Sequence, residues 1–193
     1  MKIMVGSLVT GLGFGAATSL VDMLSSPYQE LGMRFVGTVW AKAAKVLSLL
    51  MDAGWAWAAL AVAMGWFAGT WVRGALVGAL VLAAATAAYY VTDFIVGGEN
   101  MTMSFWLGVS LLIGPVLGVV GAAVRRPGLL GLFAALTVPV GAAVQMVLLP
   151  PRPHLTVTPA IVLSEVIVWT AAALGAGWAL YRFWAARRAV VVG

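Results

Sequence analysis

Residues 73–93 read RGALVGALVLAAATAAYYVTD, one arginine and one aspartate with no charge between them. At 1.5 Å of helical rise per residue, the steps from Arg73 to Asp93 cover about 30 Å, the thickness of a bilayer's hydrocarbon core. The run is continuously apolar instead of alternating with a period of two, and it is rich in Ala and Leu. It predicts a membrane-spanning helix rather than a barrel strand.

The composition extends that reading to the whole chain. Of 193 residues, 63% are apolar and 9% charged, with a mean hydropathy of +1.06, whereas soluble domains carry roughly 25% charged residues. There is no Cys and one His, which removes disulfide frameworks, thiolate chemistry and multi-histidine metal sites. The formal charge is +5, but the basic residues mark the ends of apolar runs and do not gather on one face, so nucleic acid is not expected as a partner. The expected surroundings are membrane lipids, and no cofactor or metal is called for.

Cutting the chain at its charges and prolines leaves apolar stretches at roughly 3–23, 52–72, 74–96, 103–124, 129–149 and 160–181, each close to the ~20 residues that a helical span requires. Lys2 followed by an apolar run also fits a signal peptide. The run is, however, longer than a signal core of ~7–15 residues, and Gly6, Gly11, Gly13 and Gly15 suit close helix packing. Residues 24–51 open with a Ser25-Ser26-Pro27 turn and continue into a helical pattern from Phe35 to Met51 that carries Lys42 and Lys45. Such a segment lies in the interface plane or re-enters the bilayer. The expected fold is all-α: a polytopic membrane bundle of about six transmembrane helices with one interfacial or re-entrant helix, forming a single integral membrane domain over 1–193. Pro115 and Pro139, inside the fourth and fifth spans, are expected to kink a helix or widen a cavity.

With six spans, Lys2, Arg73, Arg125, Arg126, Arg182, Arg187 and Arg188 share one face, and Arg34, Lys42, Lys45 and Arg152 the other. The excess favours both termini in the cytoplasm, the chain being expected in a bacterial cell membrane. All six acids, Asp22, Glu30, Asp52, Asp93, Glu99 and Glu165, fall toward the opposite face, as does His154. Glu30, Glu99 and His154 read as solvated loop or interface groups. Asp22, Asp52, Asp93 and Glu165 sit among apolar or aromatic residues, where ionisable groups mark sites.

Trp66, Phe67, Trp71, Trp178, Tyr181, Phe183 and Trp184 fit an interfacial aromatic belt on the basic side. On the acidic side, rings are coupled to carboxyl groups by helical spacing: Tyr89 precedes Asp93 by four, Glu165 precedes Trp169 by four, and Asp52 precedes Trp55 by three. Residues three or four apart share a helix face. Tyr90, Phe94 and Trp106 extend the patch. A carboxyl group held among apolar rings favours its protonated form, and aromatic faces stabilise cations by about 0.5–2 kcal/mol each. Proton-initiated cyclisation of an isoprenoid chain asks for both. In this reading Asp93 or Asp52 is the acid, with Asp22 and Glu165 as counter-base or polar support. Tyr89, Tyr90, Trp55, Phe94, Trp106 and Trp169 form the cation-stabilising wall.

Ala88-Tyr89-Tyr90-Val91-Thr92-Asp93, taken with Asp52-Ala53-Gly54-Trp55-Ala56-Trp57, resembles a group of small actinobacterial multi-span proteins that includes membrane-bound terpene cyclases of the drimentine type. The resemblance covers most of the chain. It implies metal-independent cyclisation of a farnesyl chain on a lipophilic substrate, in line with the absence of an aspartate-rich DDxxD cluster.

Two other readings compete. Six spans in about this length suit a substrate-binding membrane subunit of a small-molecule importer, and an intramembrane acid suits a cation-conducting oligomer. Other motifs carry less. Gly11-Leu12-Gly13-Phe14-Gly15 lacks the preceding strand of a nucleotide loop. Ser164, Glu165 and His154 lack the elbow of a nucleophilic triad, and Asn100-Met101-Thr102 matches a glycosylation pattern. Gln145 is an isolated intramembrane amide suited to holding a neighbouring helix.

Overall fold

The structure, a computed structural model, describes residues 2–97, 103–151 and 157–192. Glu99, the Asn100–Thr102 motif, Arg152 and His154 therefore lie outside the described residues. The chain is all-helical, with elements α1 (Lys2–Ser25), α2 (Glu30–Met33), α3 (Val39–Met51), α4 (Gly54–Ala68), α5 (Trp71–Gly97), α6 (Met103–Ala123), α7 (Gly128–Leu148) and α8 (Pro159–Val192). Five of these, α1, α5, α6, α7 and α8, are long and apolar enough to cross a membrane, and the α3–α4 pair makes a sixth if its two halves count as one broken span.

The stretch expected as one straight span at 52–72 is shorter than that. α4 has 15 residues, about 22 Å of helix, less than the hydrocarbon core. At its C-terminal end Gly69 adopts φ +72, a left-handed stop that glycine tolerates without steric cost. At its N-terminal end the chain breaks at Asp52-Ala53 and bends by 64° into α3. α3 is capped by Thr38, whose hydroxyl accepts from the Ala41 amide at 3.3 Å. It has one apolar and one exposed face, with Trp40 and Lys42 outward and Ala44 and Ser48 buried. The interfacial or re-entrant helix read from Phe35 to Met51 corresponds to α3, which bends away from α4 and packs against α1 and α8.

Packing is organised around α5, which lies against α1, α4 and α6, while α3 bridges α1 and α8, and α7 pairs with α8. Without water to drive helices together, close backbone approach is what membrane bundles use, and small residues four apart permit it. A Cβ at Gly11 or Gly15 of α1 would strike the Val81 or Ala85 carbonyl of α5. A Cβ at Gly74 or Gly78 of α5 would strike α6 at Gly118 or Gly114, and one at Gly65 of α4 would strike Gly118 as well. Gly6 and Gly13, by contrast, have open space beside them, so half of the glycine face expected on α1 makes the contact.

Polar links are few and specific. Thr86 and Ser110 share a hydroxyl–hydroxyl hydrogen bond of 2.7 Å across the α5–α6 seam. The Trp55 amide donates to Gln145 Oε1 of α7 at 3.0 Å. Ala53 offers no side chain to cap α4, and an uncapped helix start leaves amide donors unsatisfied. Gln145 supplies the missing acceptor from the neighbouring helix. α6 and α7 run on through Pro115 and Pro139 as single helices. Pro139 lines a groove against α8.

Candidate functional site

On α1, Phe14, Thr18 and Asp22 follow one another at intervals of four and so lie along one face. That face meets α4 and α5. Phe14 stacks edge-on against Trp57 at 5.4 Å between ring centroids, Trp57 against Tyr89 at 6.3 Å, and Tyr89 against Tyr90 at 5.3 Å. Four rings from three helices therefore form a continuous ladder, each pair in the edge-to-face geometry that aromatic quadrupoles favour.

The acids come to the end of this ladder. The Tyr89 hydroxyl donates to Asp22 Oδ2 at 3.1 Å. The Ser48 hydroxyl, Asp52 and Lys45 all act on the Asp22 carboxyl, Lys45 acts on Asp52, and Tyr89 feels Asp22, Asp52 and Asp93 together. Three of the four singled-out carboxyl groups, carried on α1, the α3–α4 break and α5, thus share one electrostatic neighbourhood with one ammonium. Asp22 and Asp93 are half-buried and Asp52 is exposed at the break, so the cluster runs from the bundle interior to its acidic end. Two buried polar atoms here have no hydrogen-bond partner among the described residues: Asp22 Oδ1 and Ser19 Oγ, three residues apart and so on the same face of α1.

The remaining expected residues are dispersed. Glu165 is buried on α8, which packs against α7 and α3. Trp55 turns toward α7 and α8, packing with Leu50 and Met146 on the cluster of Ala142, Val168 and Ala172, and its indole N–H is buried without an acceptor among the described residues. Phe94, Trp106 and Trp169 are exposed on the outer surface of the bundle, where lipid would meet them. Sequence reasoning missed Phe14, Trp57, Ser48 and Lys45 as members of the cluster. The i, i+4, i+8 spacing of Phe14, Thr18 and Asp22 was the available signal for the first.

Two cavities lie elsewhere. One, of ≈ 170 Å³, is lined by Arg125, Arg126, Gly128, Gly131, Arg182 and Phe183 among others at the basic end. The other, of ≈ 270 Å³, is an apolar groove between α4, α7 and α8 that includes Trp55, Pro139, Val168 and Gly175. Among the described residues no three His, Asp or Glu side chains come together as a metal site. No family model, no curated protein and no solved structure matches this chain.

Proposed function

We propose that this chain is a membrane-embedded terpene cyclase that starts metal-independent cyclisation of a farnesyl or related prenyl chain on a lipophilic substrate by proton transfer. The observation that supports the reading is the placement of Asp22. Its carboxyl group accepts from Tyr89 and has the Ser48 hydroxyl as a second polar neighbour, and it sits on the α1 face that leads to the Phe14–Trp57–Tyr89 ladder.

In the proposed reaction the Asp22 carboxylic acid gives its proton to the terminal alkene carbon of the prenyl chain. The adjacent alkene supplies the electron pair for the new carbon–carbon bond, and the last cation loses a neighbouring C–H proton to a carboxylate. No atom is gained or lost, so product and substrate are isomers. Trp57, Phe14 and Tyr89 offer π-faces to the travelling positive charge. Tyr89 positions Asp22 through its hydrogen bond. Asp52, exposed and near Lys45, links the interior acid to water and returns its proton. Asp93 is the second candidate for the final base.

The test is to incubate detergent-solubilised protein with farnesol and with a farnesylated indole diketopiperazine, and to separate isomers chromatographically, since mass alone does not change on cyclisation. Asp22→Asn keeps the shape and removes the acidic proton, so turnover falls by orders of magnitude with normal expression. Full product formation by each of Asp22→Asn, Asp52→Asn and Asp93→Asn contradicts the proposal.

A second reading, the membrane subunit of a small-molecule importer, is favoured by the broken α3–α4 pair, because discontinuous helices form substrate sites in transporters. Under it, the protein co-purifies with an energising subunit and confers uptake on cells, and the Asp→Asn variants lose uptake without any isomerised product.

A further inference from the structure

The basic-end cavity and the apolar groove are not two separate features. Ala135 of α7 lines both, and on α8 the residues pass without a gap from Arg182 and Ala179 in the cavity to Trp178, Gly175, Ala172, Ala171 and Val168 in the groove. From Arg182 to Val168 is fourteen residues of helix, about 21 Å. That is close to half of the ~40–45 Å bilayer including its headgroup regions, the length of one lipid molecule.

The head end is prepared for an anion. α7 begins at Gly128 with no side-chain cap and no acid in its first turn, so its free amides and the positive end of its dipole face the cavity. Arg126 and Arg182 line the same space. Arg125 lines the space as well, its guanidinium lying over the Trp66 ring at 5.9 Å and above Gly69. Arg182 is half-buried and held over Trp178 at 5.5 Å, which fixes its side chain at the junction of cavity and groove. The described acids, Asp22, Glu30, Asp52, Asp93 and Glu165, belong to the opposite end of the bundle, so no carboxylate there offsets these charges. At Gly131 a side chain would meet the Arg126 carbonyl, so the glycine lets the Arg126 turn pack directly on the first turn of α7. Orienting charges alone would require neither the cavity nor the groove that continues it.

We propose that the α7–α8 seam binds one anionic membrane phospholipid, with the phosphate between Arg126, Arg182 and the start of α7 and one chain along the groove toward Trp55. The assignment is independent of the cyclase reading. Its test is native mass spectrometry of the purified full chain in detergent, titrated separately with phosphatidylglycerol, phosphatidylcholine and farnesyl diphosphate. One phosphatidylglycerol is retained at least tenfold more strongly than phosphatidylcholine. Arg126→Gln with Arg182→Gln removes that preference, Ala171→Trp, which fills the groove from its exposed wall, weakens retention tenfold, and Arg73→Gln, on the same face outside the cavity, leaves it unchanged. Failure of farnesyl diphosphate to displace phosphatidylglycerol upholds the membrane phospholipid as occupant, and displacement by a lower concentration of farnesyl diphosphate assigns the site to a prenyl phosphate and overturns the proposal. Equal retention of phosphatidylglycerol and phosphatidylcholine, or equal losses from Arg73→Gln and the cavity pair, overturns the proposal.

Discussion

Tyr89 and Asp22, 67 residues apart in sequence, are joined by a 3.1 Å hydrogen bond from the phenol to the carboxyl group, and this contact ties α5 to α1 at the acidic end of the bundle. Intramembrane side-chain hydrogen bonds contribute about 0.6 kcal/mol on average and up to about 1.7. Tyr89→Phe is therefore expected to lower thermal stability in detergent by an amount in that range. Combined with Asp22→Ala, which leaves no acceptor, it should cost less than the sum of the two single changes, because both remove the same contact. Strict additivity in a double-mutant cycle contradicts the pairing.

The glycine seam makes a sharper stability prediction. Gly118→Ala places a methyl group against the Gly74 carbonyl between α5 and α6, and overpacking of this kind costs about 1–3 kcal/mol. Gly108→Ala, on the same helix with nothing within 4 Å, is expected to be neutral or slightly stabilising, since alanine is up to about 1 kcal/mol better than glycine in a helix interior. Parallel thermal melts of the two variants check the difference, and equal effects would place the α5–α6 contact elsewhere.

Gln145 acts as a cap supplied from another helix. Gln145→Leu removes the acceptor for the Trp55 amide and should destabilise the protein by about 1 kcal/mol, the usual worth of a helix cap. Ala53 occupies the N-cap position in extended conformation, so Ala53→Ser is expected to restore most of the loss within the Gln145→Leu background. Absence of rescue in melting experiments argues against capping as the role of Gln145.

The uneven legibility of this chain has a physical origin. A span announces itself by an apolar length that must match the bilayer, so α1, α5, α6, α7 and α8 were readable from charges and prolines alone. The depth of the acids followed from helical rise, and Asp22, Asp52 and Asp93 do converge. Which way a side chain points around an all-apolar helix is another matter. With no polar face to orient it, α4 gave no sign that Trp57 would join the ladder while Trp55 turned to α7, or that Trp169 and Phe94 would face outward. The break at Asp52-Ala53 falls where the helical pattern to Met51 was read as ending and the next apolar stretch as beginning, whereas the stop at Gly69 depends on a left-handed turn. The four-residue glycine spacings at 74 and 78 and at 114 and 118 were visible signals of packing that only the partner helix makes meaningful.

Topology is open to direct test because the chain contains no Cys, so single cysteines can be introduced against a clean background. Six crossings, with α3–α4 as one of them, place both termini on the same side. We propose, from the arginine distribution, that this side is the cytoplasm. Cysteines at positions 2 and 187 are expected to resist membrane-impermeant maleimide in intact cells, and one at position 28, in the exposed turn at Tyr28, to react. Opposite labelling of the two termini would require α3 and α4 to form a re-entrant pair that does not cross.

The central claim is that a carboxyl group at the Asp22–Tyr89 junction delivers a proton to carbon. Cyclisation carried out in deuterium oxide, with the product analysed by mass spectrometry and NMR, tests it most directly. The expected product carries one solvent deuterium at the carbon of the former terminal alkene, and it is not formed by Asp22→Asn. A cyclised product without solvent deuterium, or the same labelled product at an undiminished rate from Asp22→Asn, would contradict the assignment.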